Sequence, residues 1–277
     1  MELTGFTTLA TGLDHPEGAA WGPDGRLYAG GEAGQIYAID LDGSVEQIGD
    51  TGGFLFGVTV DGEGTVYGCD MGRGEIVRVA GGAVTAYSSG TPEHPLRVPN
   101  FTAFDEGGTL YVTDSGDWGA DNGLLFRVSP DGETTVWADT IPAFPNGCCL
   151  TAEGDALLVV ESRARRVVRV PIEESGAAGQ ATAVADLTGS QPDGIALAAD
   201  GTMFVGCYRP DRIYRIPPRG TPEIWAEDAD GVVLNQPANP VFIGPNLDRL
   251  LVTSLGGWNL ITADPGVEGL PLRYPKI

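Results

Sequence analysis

Glu17-Gly18-Ala19-Ala20-Trp21, Gly57-Val58-Thr59-Val60, Asn100-Phe101-Thr102-Ala103-Phe104, Asn146-Gly147-Cys148-Cys149-Leu150, Asp193-Gly194-Ile195-Ala196-Leu197 and Asn239-Pro240-Val241-Phe242 are six versions of one segment. Their opening residues lie 40, 43, 46, 47 and 46 positions apart. A period of that length marks a β-propeller, in which each repeat folds as one four-stranded blade. The first repeat shows the grammar: apolar stretches at 18–21, 27–29, 35–39 and 45–48, with tight turns at Pro23-Asp24-Gly25 and Asp42-Gly43. Short apolar runs separated by Asp-Gly turns read as antiparallel strands.

The fourth strand has its own signature, in Val45-Glu46-Gln47-Ile48, Val84-Thr85-Ala86-Tyr87, Thr135-Val136-Trp137-Ala138, Ala183-Val184-Ala185-Asp186 and Glu223-Ile224-Trp225-Ala226. The last repeat lacks this strand, and a sixth copy, Phe6-Thr7-Thr8-Leu9, precedes the first repeat. The expected fold is therefore an all-β, six-bladed propeller spanning 1–277 as one domain. Its N-terminal strand completes the last blade, and closure removes exposed sheet edges.

Composition fits this reading. The 42 Gly and 20 Pro of the 277 residues are spread along the chain, as expected when every repeat needs several turns. Asp and Glu outnumber Lys and Arg by 38 to 16, the only Lys is Lys276, and the formal charge is −22. Such a surface repels nucleic-acid phosphates and anionic membranes. Met1-Glu2-Leu3-Thr4-Gly5 has neither a basic start nor an apolar run, so a cytoplasmic location without a membrane segment is expected. Cys69, Cys148, Cys149 and Cys207 form no CxxC pair and are expected as buried, reduced thiols. A closed ring needs no partner, so the default is a monomer.

The repeat openings carry the chemistry. Glu17, Gly57, Asn100, Asn146, Asp193 and Asn239 would stand at one end of the central channel, and all but Gly57 bear a side-chain oxygen. Pro-Glu-Gly, Pro-Asn-Gly and Pro-Asp-Gly are also turn-forming triplets, which would explain any one of them. Oxygen donors at the equivalent position of separate repeats point instead to a shared ligand. Glu17, Asn100, Asn146 and Asp193 offer oxygens only, with two formal negative charges, which suits a hard cation such as Ca²⁺ or Mg²⁺. Mn²⁺, Zn²⁺ and Fe²⁺ can also enter such a site. Gly57 leaves one side open, as catalysis requires. Asn239, followed by Pro240, ranks behind the other four.

His15-Pro16-Glu17-Gly18, Pro99-Asn100, Phe144-Pro145-Asn146-Gly147 and Gln191-Pro192-Asp193-Gly194 resemble the motifs of the gluconolactonase, regucalcin (senescence marker protein) and luciferin-regenerating enzyme family. These are six-bladed propellers that hydrolyse lactones with one divalent metal, and the resemblance covers nearly the whole chain. It implies that Glu17, Asn146 and Asp193 bind the metal, with Asn100 touching metal or substrate. At one point the chain departs from the pattern: sugar-lactone members carry an Arg two residues before the second ligand, where this chain has Val98, and Arg97 stands one place earlier. The same ligand types occur in diisopropyl fluorophosphatase, and strictosidine-synthase-like enzymes and non-catalytic NHL-type propellers share the scaffold. Metal dependence separates the lactonase and fluorophosphatase readings from the strictosidine-synthase-like and NHL-type ones, and the ligand set does not choose between the first two.

The expected chemistry is metal-assisted opening of a lactone, with Asp193 as general base because a carboxylate bound through one oxygen can accept a proton on the other. Residues about fifteen places after each ligand should rim the pocket: Glu32, Ser115, Ser162, Tyr208 and Ser254, with Asp70, Asp114 and Glu161 beside such positions. Asn100, Arg97, Asp114, Tyr208, Trp118 and Asn239 are the expected substrate contacts. The Ser88 to Pro99 loop, with His94, could fold over the mouth as a lid, and Trp118 and Trp258 would supply aromatic walls.

Overall fold

Six inner strands, Ala19–Trp21, Leu55–Val60, Pro99–Phe104, Pro145–Leu150, Gln191–Leu197 and Pro237–Ile243, stand around one axis in a computed structural model that describes residues 1–277. Each packs against the inner strands of the two neighbouring blades, so the ring is closed. Within blades 1 to 5 the strands pair antiparallel in chain order, as in Ala19–Trp21, Leu27–Gly30, Gln35–Ile39 and Val45–Asp50 of blade 1. Blade 6 takes its outer strand from the other end of the chain. Thr7–Thr11 pairs antiparallel with Asn259–Ala263, with Thr7 opposite Thr262 and Thr8 opposite Ile261. The six-bladed architecture and its N-terminal closure are as the repeats predict.

The core lies in six apolar clusters, most of them wedged between adjacent blades. At the closing seam Ile243, Leu251 and Leu260 of blade 6 pack with Ala19, Trp21 and Leu27 of blade 1. The four cysteines are free, and burial pushes the Cys69 and Cys148 thiols well above their ordinary range. No helix is long and apolar enough to cross a membrane.

Two local features aim side chains at the axis. First, the inner strands lose register with their neighbours at the repeat openings: pairing jumps from Pro99 to Phe101, from Pro145 to Cys148, from Pro192 to Ile195 and from Pro237 to Pro240. Asn100, Asn146, Asp193 and Asn239 fall in these gaps, and a bulge releases a residue from the strict alternation of a strand and re-aims it. Second, Glu17, Asn146 and Asp193 are each followed by a glycine where backbones crowd. A Cβ on Gly147 would lie 2.5 Å from Gly194 Cα and 2.8 Å from Asp193 O.

Away from the ligand end the axis holds an apolar cavity of about 160 Å³, lined by residues such as Val60, Phe104, Leu150 and Phe242. A C-terminal strap closes it. Leu270 N donates to Leu197 O (2.9 Å), Arg273 Nη2 to Thr151 O (2.8 Å) and Tyr274 Oη to Trp21 O (2.7 Å), while Gly62 N donates to Pro275 O (2.7 Å). The strap thus ties together blades 1, 2, 4 and 5.

Candidate metal centre and its mouth

Glu17, Asn100, Asn146, Asp193 and Asn239 are all buried, at 8%, 2%, 4%, 3% and 2% exposure. Asn100 Oδ1, Asn146 Oδ1, Asp193 Oδ1 and Asn239 Oδ1 have no hydrogen-bond partner. Leaving a buried acceptor unsatisfied costs about 1–3 kcal/mol, so four at one end of one channel call for bound water or a ligand. The charges point the same way. Burial pushes the Glu17 carboxyl well above its ordinary range, and the neighbouring Asp193 and Glu32 add to this. Burial raises Asp193 to about 7, opposed only by the Asn146 amide. No cationic side chain contributes to either shift. Buried carboxylates without a counter-charge and unsatisfied amide oxygens together fit a hard divalent cation.

Asn239 also ties the ring together. Its Nδ2 donates to Glu17 O (2.9 Å), and its backbone N–H donates to Thr253 Oγ1 (2.9 Å), which itself donates to Glu17 O (2.7 Å). Blade 6 therefore fixes the strand entry that carries Glu17. Thr113 does the same at the junction of blades 3 and 4, accepting from Phe101 N (3.0 Å) and donating to Asn146 O (2.8 Å). Neither threonine stands out in the sequence. Their one signal is that each immediately precedes a rim position, Asp114 or Ser254.

Most of the expected rim braces the loops. Asp114 accepts from the backbone N–H groups of Arg97 (2.6 Å), Val98 (3.2 Å) and Gly116 (3.0 Å), so its carboxylate braces the loop that precedes Asn100. Asp70 accepts from Phe54 N and Arg73 N, both at 3.0 Å, and Glu161 accepts from Ala143 N (2.8 Å) and Arg166 Nε (2.6 Å). Ser115 and Ser254 donate to backbone carbonyls of Pro145 and Leu234. Tyr208 is different. Burial first, then the charges of Asp193 and Glu17, pushes its phenol up to about 12.

Arg97 is exposed and pairs with Asp117 (3.2 Å), one residue from Trp118. The 88–99 loop is a small hairpin, with Gly90 bridged to Pro95, and it is pinned by the buried Leu96. A cleft of about 260 Å³ lies beside it, lined by His94, Arg97, Asp114 and Asn122 among others. On the rim of blade 1 the donor atoms of Asp14, His15 and Glu32 lie within 4.8 Å of one another, a grouping able to hold a cation that the repeat pattern does not reveal. His15 Nδ1 is 2.6 Å from Glu32 Oε2. Asp14 Oδ2 already accepts from Ala33 N (3.0 Å) and Gln35 Nε2 (3.2 Å). This rim grouping is half exposed and hydrogen-bonded, whereas the axial oxygens are buried and unsatisfied.

Fold and site together define a closed propeller with buried, unsatisfied oxygens at one end of its axis and a grouping able to hold a cation on the rim. The chain belongs to the SMP-30/gluconolactonase/LRE-like family, whose model matches residues 15–256. It is 28% identical over 246 residues to the pentonolactonase XacC of Haloferax volcanii, covering 87% of this chain and 81% of that protein. The lactonase drp35 of Staphylococcus aureus is 28% identical over 169 residues, which span 57% of this chain and 52% of drp35. Among solved structures, a gluconolactonase from Xanthomonas campestris, XC5397, superposes with a TM-score of 0.80 at 21% identity, covering 94% of this chain and 89% of that one. A luciferin-regenerating enzyme gives 0.79 at 18%, covering 96% and 97%. The family match and the sequence similarity relate the protein to lactonase-like hydrolytic enzymes.

Proposed function

We propose that the protein is a divalent-metal-dependent lactone hydrolase, with Ca²⁺ as the first cation to test and Glu17, Asn146 and Asp193 as its ligands. The observation that carries this reading is the set of buried, unsatisfied oxygens around two uncompensated carboxylates. A cation bound there would supply Lewis-acid polarisation of the lactone carbonyl. Asn100, whose amide oxygen is unsatisfied, orients either the cation or the substrate. Tyr208, whose phenol burial keeps protonated, would donate a hydrogen bond to a substrate oxygen. Asp193 accepts a proton from the attacking water as the new carbon–oxygen bond forms, and that proton passes to the ring oxygen as the acyl–oxygen bond breaks. The product is the ring-opened hydroxy acid.

The test is acid release from a panel of lactones by chelator-stripped protein and by protein resupplied with Ca²⁺, Mg²⁺, Mn²⁺, Zn²⁺ or Fe²⁺. Activity lost on stripping and restored by an ion is expected. A stripped protein that keeps full activity would remove the metal from the reaction.

A further inference from the structure

Behind the ligand ring the axis holds a second compartment that the chemistry at the mouth does not use. The cavity of about 160 Å³ begins one or two places past the repeat openings, at Val58, Phe101, Ile195 and Pro240, and reaches the strap at Leu270 and Leu272. All six inner strands contribute to its wall, which is mostly apolar. A cavity of about 150 Å³ with an aliphatic and phenyl lining accepts one benzene ring. Size and lining therefore suit a single six-membered ring.

One charged side chain lines this compartment, Arg273 of the strap. Its Nη2 donates to Thr151 O (2.8 Å) and Ala152 O (2.9 Å), and neither Nε nor Nη1 is bonded within the protein. No carboxylate pairs with it, although the chain carries 38 Asp and Glu. The guanidinium acts on the cavity wall. Cys149, the one cysteine that is only half-buried, belongs to that wall. Burial pushes its thiol up to about 12, and the Arg273 charge opposes this. A guanidinium anchored through one nitrogen keeps the others for a planar acceptor, and a carboxylate meets that fork with two oxygens. The other polar side chains of the wall are uncharged. Tyr274 Oη donates to Trp21 O, Thr102 Oγ1 is buried without a partner, and Thr59 adds a second hydroxyl. Apolar walls with a few polar groups and one charge are the usual make-up of a small-molecule site.

We propose that this compartment binds a small carboxylate with an apolar body, of the aryl carboxylate class, its ring among the inner strands and its carboxylate on Arg273. The site is separate from the candidate metal centre, so it stands or falls apart from the lactonase reading. The test titrates benzoate, benzyl alcohol and acetate into chelator-stripped protein by calorimetry and repeats the benzoate titration with Ca²⁺ restored. Benzoate should bind once per chain, with or without the cation. It should bind at least about tenfold tighter than benzyl alcohol, which lacks the charge, or acetate, which lacks the ring, the strength of a charge-assisted hydrogen bond setting that scale. Arg273→Met keeps an apolar stem and should bring benzoate down to the level of benzyl alcohol, whose own binding is kept. Ala103→Leu, which fills the cavity from blade 3, should weaken both ring probes by about tenfold or more. Alkylation of Cys149 in the unaltered protein gives a readout that needs no variant, and saturating benzoate should slow it several-fold, as read by mass spectrometry of the labelled peptide. Absence of benzoate binding, acetate bound as tightly as benzoate, or benzoate binding lost in Asp193→Asn but kept in Arg273→Met would each overturn the proposal.

Discussion

Asp193 offers the sharpest test of the axial site, because its charge is harmful to the fold until a cation arrives. Its carboxyl rises from an ordinary 3.8 to about 7 in the folded protein, through burial. In the unfolded chain it ionises above about pH 4, whereas the folded chain holds the proton to about 7, so folding takes up a proton between those values. Stability of the metal-free protein is therefore full below pH 4, falls as pH rises through that window, and levels off above it. Three pH units at about 1.4 kcal/mol each give about 4 kcal/mol as the scale of the cost. Asp193→Asn keeps the shape and removes the cost, and it also relieves Glu17, whose carboxyl Asp193 pushes up. In chelator-treated samples at pH 8 the variant should melt roughly 10 °C above the wild type, at about 2–4 °C per kcal/mol for a chain of this size. At pH 5 the gap should shrink to less than half. Adding the working cation should reverse the order, because the wild type gains stability by binding and the variant gains little. Calorimetry at several pH values reads all three. Metal-free Asp193→Asn melting at or below the wild type at pH 8 would refute the claim that this carboxylate lacks a counter-charge.

Three further outcomes follow from the packing. Thr253→Val removes the hydroxyl that joins Asn239 N to Glu17 O and should cost about 2–4 kcal/mol in urea unfolding, with weaker cation binding measured by calorimetric titration. Gly147→Ala forces a methyl group against the backbone of Gly194 and Asp193 and should cost about 1–3 kcal/mol or more, and it should loosen the proposed cation site because the two strands carry the candidate ligands Asn146 and Asp193. Tyr274→Phe deletes the hydrogen bond from the strap to Trp21 O and should lower stability by about 1 kcal/mol while leaving cation affinity as it was, since the strap lies at the far end of the axis.

The sequence shows some of these features and hides others. A period of forty-odd residues and its Asp-Gly turns are local signals repeated six times, so blade number, strand order and the missing outer strand could all be read directly. Glu17, Asn100, Asn146 and Asp193 could be found because a polar residue recurring where apolar ones belong is itself periodic. The braces could not. Thr253 acts on Glu17, 236 residues away, and nothing near either residue records that meeting. Asp114 was legible as a conspicuous acid beside the mouth, but its three bonds to backbone N–H groups were not, because they depend on how the 88–99 loop folds back. The register breaks around Asn146 and Asp193 were equally hidden, since Pro-Asn-Gly and Pro-Asp-Gly announce a turn without saying that a strand continues through it. The strap along 264–277 has no counterpart in any repeat, so the pattern that revealed the blades was silent about it.

The pairing of Thr7–Thr11 with Asn259–Ala263 also sets an order of assembly. As the chain leaves the ribosome, this segment emerges before all the strands it will join and has no partner while five blades are built behind it. Blade 6 is made last and waits with one edge bare until a segment some 250 residues upstream returns, so the seam of Ile243, Leu251 and Trp21 is sealed late. Nascent chains should therefore be most prone to self-association in the interval between synthesis of residue 263 and that return. A stretch appended ahead of Thr7 that slows the return would lower soluble yield without altering the finished molecule.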